Sequence, residues 1–470
     1  MRFCSLKDMR YRPRRGAILV LAAFMIILAF CIAALAIDLG MIALATNQLQ
    51  NAADASALAA AAELVPTAQP PFPLKSPLAV AVNVPSVLGV TLGLNLSTSV
   101  SVAGANLQVI QPQTLPDNSA AAIQAARDVA AQNGCLQISS LQTADSDIQT
   151  FYQSQPSVPL PLVPIPGVDS LLNALILNSN VNTNPNAATV NIRSNAAGNS
   201  LLPLSFAPLL GMNSIQKSKS ATAMICQGYS AVGGARVLPI AMDVTIWRAL
   251  RLGNGTYNGI PVANQLLGQN GAPVILIDEQ SWNQSTQTVS SGSDGIWEVL
   301  MITDPLGNLS IPGLPLSLSS VTNTASTLVT LRLNPNQTDV QLEQQVLSGL
   351  NSASMPSSMM TLPCNIQGTK GVPSGVLAEL KKTIGQPQVI PLFATLSGTV
   401  GNTLNQLLGL PQTYQIVGWG GCVITDVQDL GILTVLKLQP APYSSSNIRA
   451  TQSGNPAYSD LVFTGPRLVQ

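Results

Sequence analysis

Ala17 to Ile37 is an uninterrupted run of 21 residues without a charge, AILVLAAFMIILAFCIAALAI. As an α-helix it spans ~31 Å, which matches a hydrocarbon core of about 30 Å. A cleaved signal peptide has a shorter apolar stretch, although Ala34-Leu35-Ala36 imitates its small-x-small site. In front of the run, Arg2, Lys7, Arg10, Arg12, Arg14 and Arg15 put six of the chain's 21 basic residues into fifteen positions, opposed only by Asp8. That asymmetry predicts a single-pass anchor, with the basic segment 1–16 on the cytoplasmic side and the rest beyond the inner membrane. Arg10, Arg12, Arg14 and Arg15 are the topology signal.

Past the span the helical pattern continues. Asp38 marks the interface, and Met41 to Leu64 runs on as MIALATNQLQNAADASALAAAAEL before Pro66. Ile42, Ala45, Leu49, Ala52, Ser56 and Ala59 recur at three- and four-residue spacing, one face of small side chains open to close approach by another helix. Two readings stand: an Ala-rich stalk (38–65) packing on its own ectodomain, or a docking helix for similar single-pass proteins. The candidate contact residues are Asp38, Gln48, Leu49, Asn51 and Asp54.

The rest reads as an α+β ectodomain, mostly β, in two parts, 66–227 and 235–470. Alternation from Val90 to Val102 predicts a strand or hairpin, and Ser119 to Gln132 a helix stopped near Gly134. Ala188–Ile192, Ser220–Cys226, Val237–Val244, Pro273–Ile277, Ile296–Ile302, Leu328–Leu333, Tyr414–Val427 and Leu433–Leu438 read as strands. Asp339–Leu350 and Ser374–Ile384 read as helices, the second with a Ser cap and Gly385 at its end. Beyond the membrane lie Cys135, Cys226, Cys364 and Cys422. In an oxidising compartment, pairs 135–226 and 364–422 would staple one part each, and buried free thiols are the alternative.

Several function classes drop out. Net charge is zero and 9% of residues are charged. From Asp38 onward 15 basic face 20 acidic side chains, so no positive face awaits nucleic acid. The chain contains no histidine, which removes the common triads and the usual zinc sites. Ser214-Ile215-Gln216-Lys217 matches a Ser-x-x-Lys nucleophile motif without its Lys-Thr-Gly companion. Glu298 would need a second carboxylate nearby to act as a glycosidase acid. The expectation is a protein that is not an enzyme and needs no cofactor.

Arg14-Arg15-Gly16 before the span, Asp38-Leu39-Gly40 after it, and Gln48 to Ala59 (QLQNAADASALA) together resemble the N-terminal module of Flp pilus-assembly TadG-like proteins. AARDVAAQNG (125–134) and LPLSFAPLLGMNSIQKSKSATA (202–223) are weaker echoes. The resemblance implies a role in the Tad (tight adherence) apparatus, which assembles adhesive pili, and association with other small pilin-like anchors. It implies no catalytic residue. Leu21 stands where a processed pilin carries Glu after its Gly, and the Asp-x-Ser-x-Ser metal motif of some relatives is absent. The expected function is a non-enzymatic, membrane-anchored envelope protein for assembly or anchoring of a Tad/Flp-type pilus. An envelope-anchored module binding cell-wall or surface ligands is the alternative.

Overall fold

A computed structural model describes residues 15–65, 118–152, 185–244, 279–302, 329–394, 412–429, 434–450 and 458–469, apart from a few positions within them, with Trp247, Leu250 and short strand pieces at 100–107, 256–261 and 275–277. Residues 66–99, most of the alternating Val90–Val102 stretch among them, lie outside the described residues.

One helix, α1 (Arg15–Glu63), takes in both the apolar run and the alanine-rich segment after it, 49 residues in all. No proline or helix-breaking cluster interrupts it, and Ala and Leu are its commonest formers. Its C-terminal carbonyls are closed from outside: the Asn118 side-chain amide donates to Glu63 O at 3.1 Å and to Val65 O at 3.0 Å. The next helix, α2 (Ser119–Gln132), begins at that clamp and ends on Gln132, as its periodicity predicts.

The two helices meet through small side chains. Ala122, Ala126 and Ala130 of α2 and Ala45, Leu49, Ala52, Ala53, Ala57, Ala60 and Ala61 of α1 are buried in one cluster. Beneath them lies an antiparallel sheet of β1 (Ile148–Phe151), β2 (Ala187–Ser194) and β3 (Lys217–Met224), with a C-terminal strand, Arg467–Val469, on the free edge of β3. Its inner face presents Ile148, Ala188, Val190, Ile192, Ala221 and Ala223 to the same cluster, the period-two pattern of a half-covered sheet. Leu49 is fully buried there. Leu49→Ala is expected to destabilise this layer by about 2–5 kcal/mol, seen as a lower denaturation midpoint for the helix–sheet unit.

The second half is built on one long strand. In chain order its principal strands are β4 (Ile240–Asp243), β5 (Ile275–Ile277), β6 (Glu298–Ile302), β7 (Val329–Arg332), β8 (Cys364–Lys370), β9 (Pro387–Ala394), β10 (Gln412–Asp429) and β11 (Thr434–Pro440). At 18 residues, β10 is long enough to serve several neighbours. Its first residues pair with β8, its middle with β9 and its last with β11. Since β8 pairs with β7, β7 with β4, and β4 in parallel with β9, five strands close into a ring. From β10 the sheet continues outward through β11, β6 and β5. Closure hides strand edges that would otherwise invite pairing with other chains.

One face of this sheet packs Val329, Leu331, Ile366, Val389, Phe393, Tyr414 and Ile416 together. The other packs Ile240, Met242, Ile390, Leu392, Leu436 and Leu438 against α3 (Asp339–Ser348) and α4 (Ser374–Lys382). Thr338 and Gln341 form a capping box at the start of α3. In α4, Ser374 is the first helical residue and Pro373 holds the cap position without a side-chain bond. The expected Ser cap is therefore replaced by a proline whose fixed φ suits the helix start. Gly385 follows the helix at φ +80, where a side chain would be strained.

The polar groups of this core make it alkali-sensitive. Burial pushes the Cys364 thiol from 9.0 up to about 11, the Tyr414 phenol from 10.0 up to about 12, and Tyr229 likewise to about 12 with added repulsion from Tyr152 and Cys226. Each is held protonated by the fold and ionises more easily once unfolded. Their contribution is intact below pH ~9 and is lost as pH rises through ~9–12. The thermal midpoint is expected to hold steady from pH 7 to 8.5 and to fall steeply by pH 10.5.

Candidate functional site

The part of the molecule with a distinct task is the anchor and its junction with the folded region. From Leu19 to Ile37 the large apolar side chains of α1 stand 44–73% exposed on all sides. No element covers this half of the helix among the described residues. A helix apolar all round and uncovered belongs in hydrocarbon, where the backbone satisfies itself and the side chains meet lipid. Arg15 opens the helix; Arg10, Arg12 and Arg14 lie outside the described residues.

Among the described residues Asp38 is the first buried side chain along α1, between exposed Ile37 and Leu39. Its carboxylate is 3% exposed and accepts the backbone N–H groups of Ser205 at 2.8 Å, Phe206 at 3.1 Å and Ala207 at 2.6 Å. Three converging amides at the start of a 3-10 turn, Ala207–Leu210, suit an anion. The span's outer end is thus bolted to a loop 167–169 residues away in sequence. With Asp38→Ala, hydrogen exchange at the Ser205, Phe206 and Ala207 amides is expected to accelerate roughly tenfold or more, with the protein still in the membrane.

The other helix positions singled out by sequence divide by side. Gln48 accepts the Leu136 amide through Oε1 at 2.9 Å, and Leu49 lies in the core. Asp54 is half-buried and accepts from the Gln50 side chain at 2.7 Å, while Asn51 is exposed. The small-residue face is occupied by the protein's own α2 and sheet, the first of the two readings offered by the spacing. What stays uncovered is the opposite side, with Leu44, Asn47 and Asn51.

Cys135, Cys226, Cys364 and Cys422 are all free thiols. Cys135 Sγ lies 3.6 Å from Ala45 O under α1, whereas Cys226 Sγ accepts from the Arg467 guanidinium at 3.1 Å. Cys364 faces Ile416 across the ladder, and Cys422 sits six residues further along the same strand. That offset is roughly 20 Å, far beyond disulfide reach. The register does not bring Cys364 and Cys422 together.

The nucleophile motif dissolves on inspection. Ser214 and Lys217 lie in successive strands, Ser214–Ile215 and β3, where an i,i+3 pair faces opposite ways rather than sharing a side as on a helix. Glu298 is fully buried on β6. Among the described residues no group of three or more His, Cys, Asp or Glu could hold a metal ion.

Residues 16–63 match the sequence model of the family described as "Putative Flp pilus-assembly TadE/G-like". The anchor helix is TadE/G-like. The match starts at the glycine before the span and ends at the last residue of α1, so it covers both the bare and the packed half of one element. No curated protein and no solved structure matches the chain. In general terms this is a membrane-anchored protein with a TadE/G-type N-terminal module and a mostly β-strand domain beyond it.

Proposed function

We propose that this protein is a non-enzymatic component of the bacterial envelope that takes part in assembling or anchoring a Tad/Flp-type adhesive pilus. The observation that carries the reading is the TadE/G-like match over residues 16–63, on a helix whose first half is bare and whose second half is built into its own domain. The basic segment 1–16 stays in the cytoplasm, and the folded part stands outside the inner membrane, held at its surface by Asp38. Its partners are other single-pass, pilin-like or Tad-apparatus proteins. They meet the side of α1 that its own domain leaves open, at Leu44, Asn47 and Asn51.

The test is a photo-crosslinking residue at Asn51 of the full-length protein in its native membrane, with mass spectrometry of what is captured. Small single-pass pilin-like proteins or a secretion platform support the proposal. Capture of wall polymer or unrelated surface proteins, with no pilus component, overturns it in favour of an envelope binding module.

A further inference from the structure

The loop that Asp38 holds carries an unusual surface. Leu204 to Asn213, LSFAPLLGMN, is closed at its base by the Leu204 amide donating to Asn213 O at 3.2 Å. Inside it the Met212 amide donates to Ala207 O at 3.1 Å, and Gly211 takes φ +85 to finish the 3-10 turn. This is a shaped turn with its backbone groups engaged. Yet Phe206 is 40% and Met212 58% exposed, and Pro208 is exposed too. A polar turn would be the ordinary choice for a loop in water.

Its position supplies the reason. The bare span ends at Ile37, and the loop is tied to the helix at Asp38, with Ser205 Oγ also 3.3 Å from Met41 Sδ. Asp38 to Met41 cover only about 5 Å of helix, so the loop lies at the level where hydrocarbon gives way to headgroups. Leu35, Ile37 and Leu39 are exposed on the helix at the same height. Lys217 and Lys219 begin the strand that leaves this loop.

We infer that the 204–213 loop is a second membrane contact, with Phe206 and Met212 inserted at the headgroup–acyl boundary of a phospholipid bilayer beside the span. The occupant is lipid, because the patch continues the exposed surface of the span itself and is locked at that height by Asp38. One helix alone leaves a domain free to swing. Two attachments fix its orientation on the membrane surface. The inference rests on α1 spanning the bilayer and does not depend on the identity of the pilus partners.

The experiment uses the full-length protein in phosphatidylethanolamine/phosphatidylglycerol vesicles, with and without lipids brominated near the top of the acyl chains. Phe206→Trp adds one fluorophore over the wild-type background, and Val340→Trp, at an exposed site on α3, serves as control. Emission from the tryptophan added at position 206 is expected to be roughly halved by the brominated lipid, as befits burial at the boundary, and the control unchanged. If Phe206→Trp does not fold, Met212→Trp carries the same expectation. No added quenching at the loop, or equal quenching at Val340, overturns the inference. Carbonate extraction of the same vesicles shows separately whether the span is integrated, so a failed anchor and a failed loop contact are told apart.

Discussion

Arginine at both Ile26 and Ile27 is expected to empty the membrane fraction of this protein. The two positions lie at the middle of the span, the helix there is bare on every side, and no neighbouring element offers a buried carboxylate as partner among the described residues. Twelve Leu, Ile, Val and Phe side chains between Ala17 and Ile37 favour insertion by about 4–7 kcal/mol in total at ~0.3–0.6 each. Two central arginines oppose that with about 5–7 kcal/mol and remove two of the twelve contributors. The balance moves from firmly inserted to marginal. Carbonate-washed membranes should retain the wild type and an Ile26→Leu variant and lose most of the double-arginine protein. Full retention of that protein would mean that the helix is held by something other than lipid.

Trp247→Ala is expected to be the most damaging single change in the strand-rich half. Trp247 is fully buried among the side chains under α3 and α4. Its indole N–H donates to Asp460 Oδ2 at 2.9 Å, which ties the segment after β4 to the strand Tyr458–Asp460 beside β10. The ring lies so close to Gly420 that a Cβ there would come 2.7 Å from it. Removing the ring leaves a cavity and takes one hydrogen-bond donor from Asp460 at once, for a loss of about 3–5 kcal/mol. Against a typical stability of ~5–15 kcal/mol that is a fifth or more. Denaturant titration should show the midpoint falling sharply. Trp247→Phe, which keeps most of the packing and loses the hydrogen bond, should fall between. Equal midpoints for Ala and wild type would show that this cluster does not hold the half together.

The Cys364–Cys422 geometry and the position of Pro391 show where a one-dimensional reading stops. A pairing argued from division of the chain into two parts has no access to register, and register sets Cys364 opposite Ile416, six positions from Cys422 on the neighbouring strand. Pro387 to Ala394 contains two prolines, which by local rule argue against a central strand, yet it lies between β4 and β10 with a shift in register at Leu392/Phe393. The missing N–H of Pro391 is tolerated beside that irregularity. Nor does anything local mark Arg467–Val469 as the partner of β3, more than 240 residues earlier.

The sequence by itself determined the anchor: its length, its place, its charge asymmetry, the helix that continues beyond it and the limits of α2. These depend on neighbouring residues and on the bilayer as solvent, so they are written in composition and spacing. Eight of the eleven numbered strands were legible too, since alternation is local, whereas β1, β8, β9 and nearly all the shorter strands were not. Only the tertiary structure decided which face of α1 is already taken, that Asp38 is a clamp rather than a border mark, and that β10 closes a ring. Each of those joins residues far apart in the chain. The free energy that selects them comes from fitting surfaces together, and no window of sequence contains both surfaces.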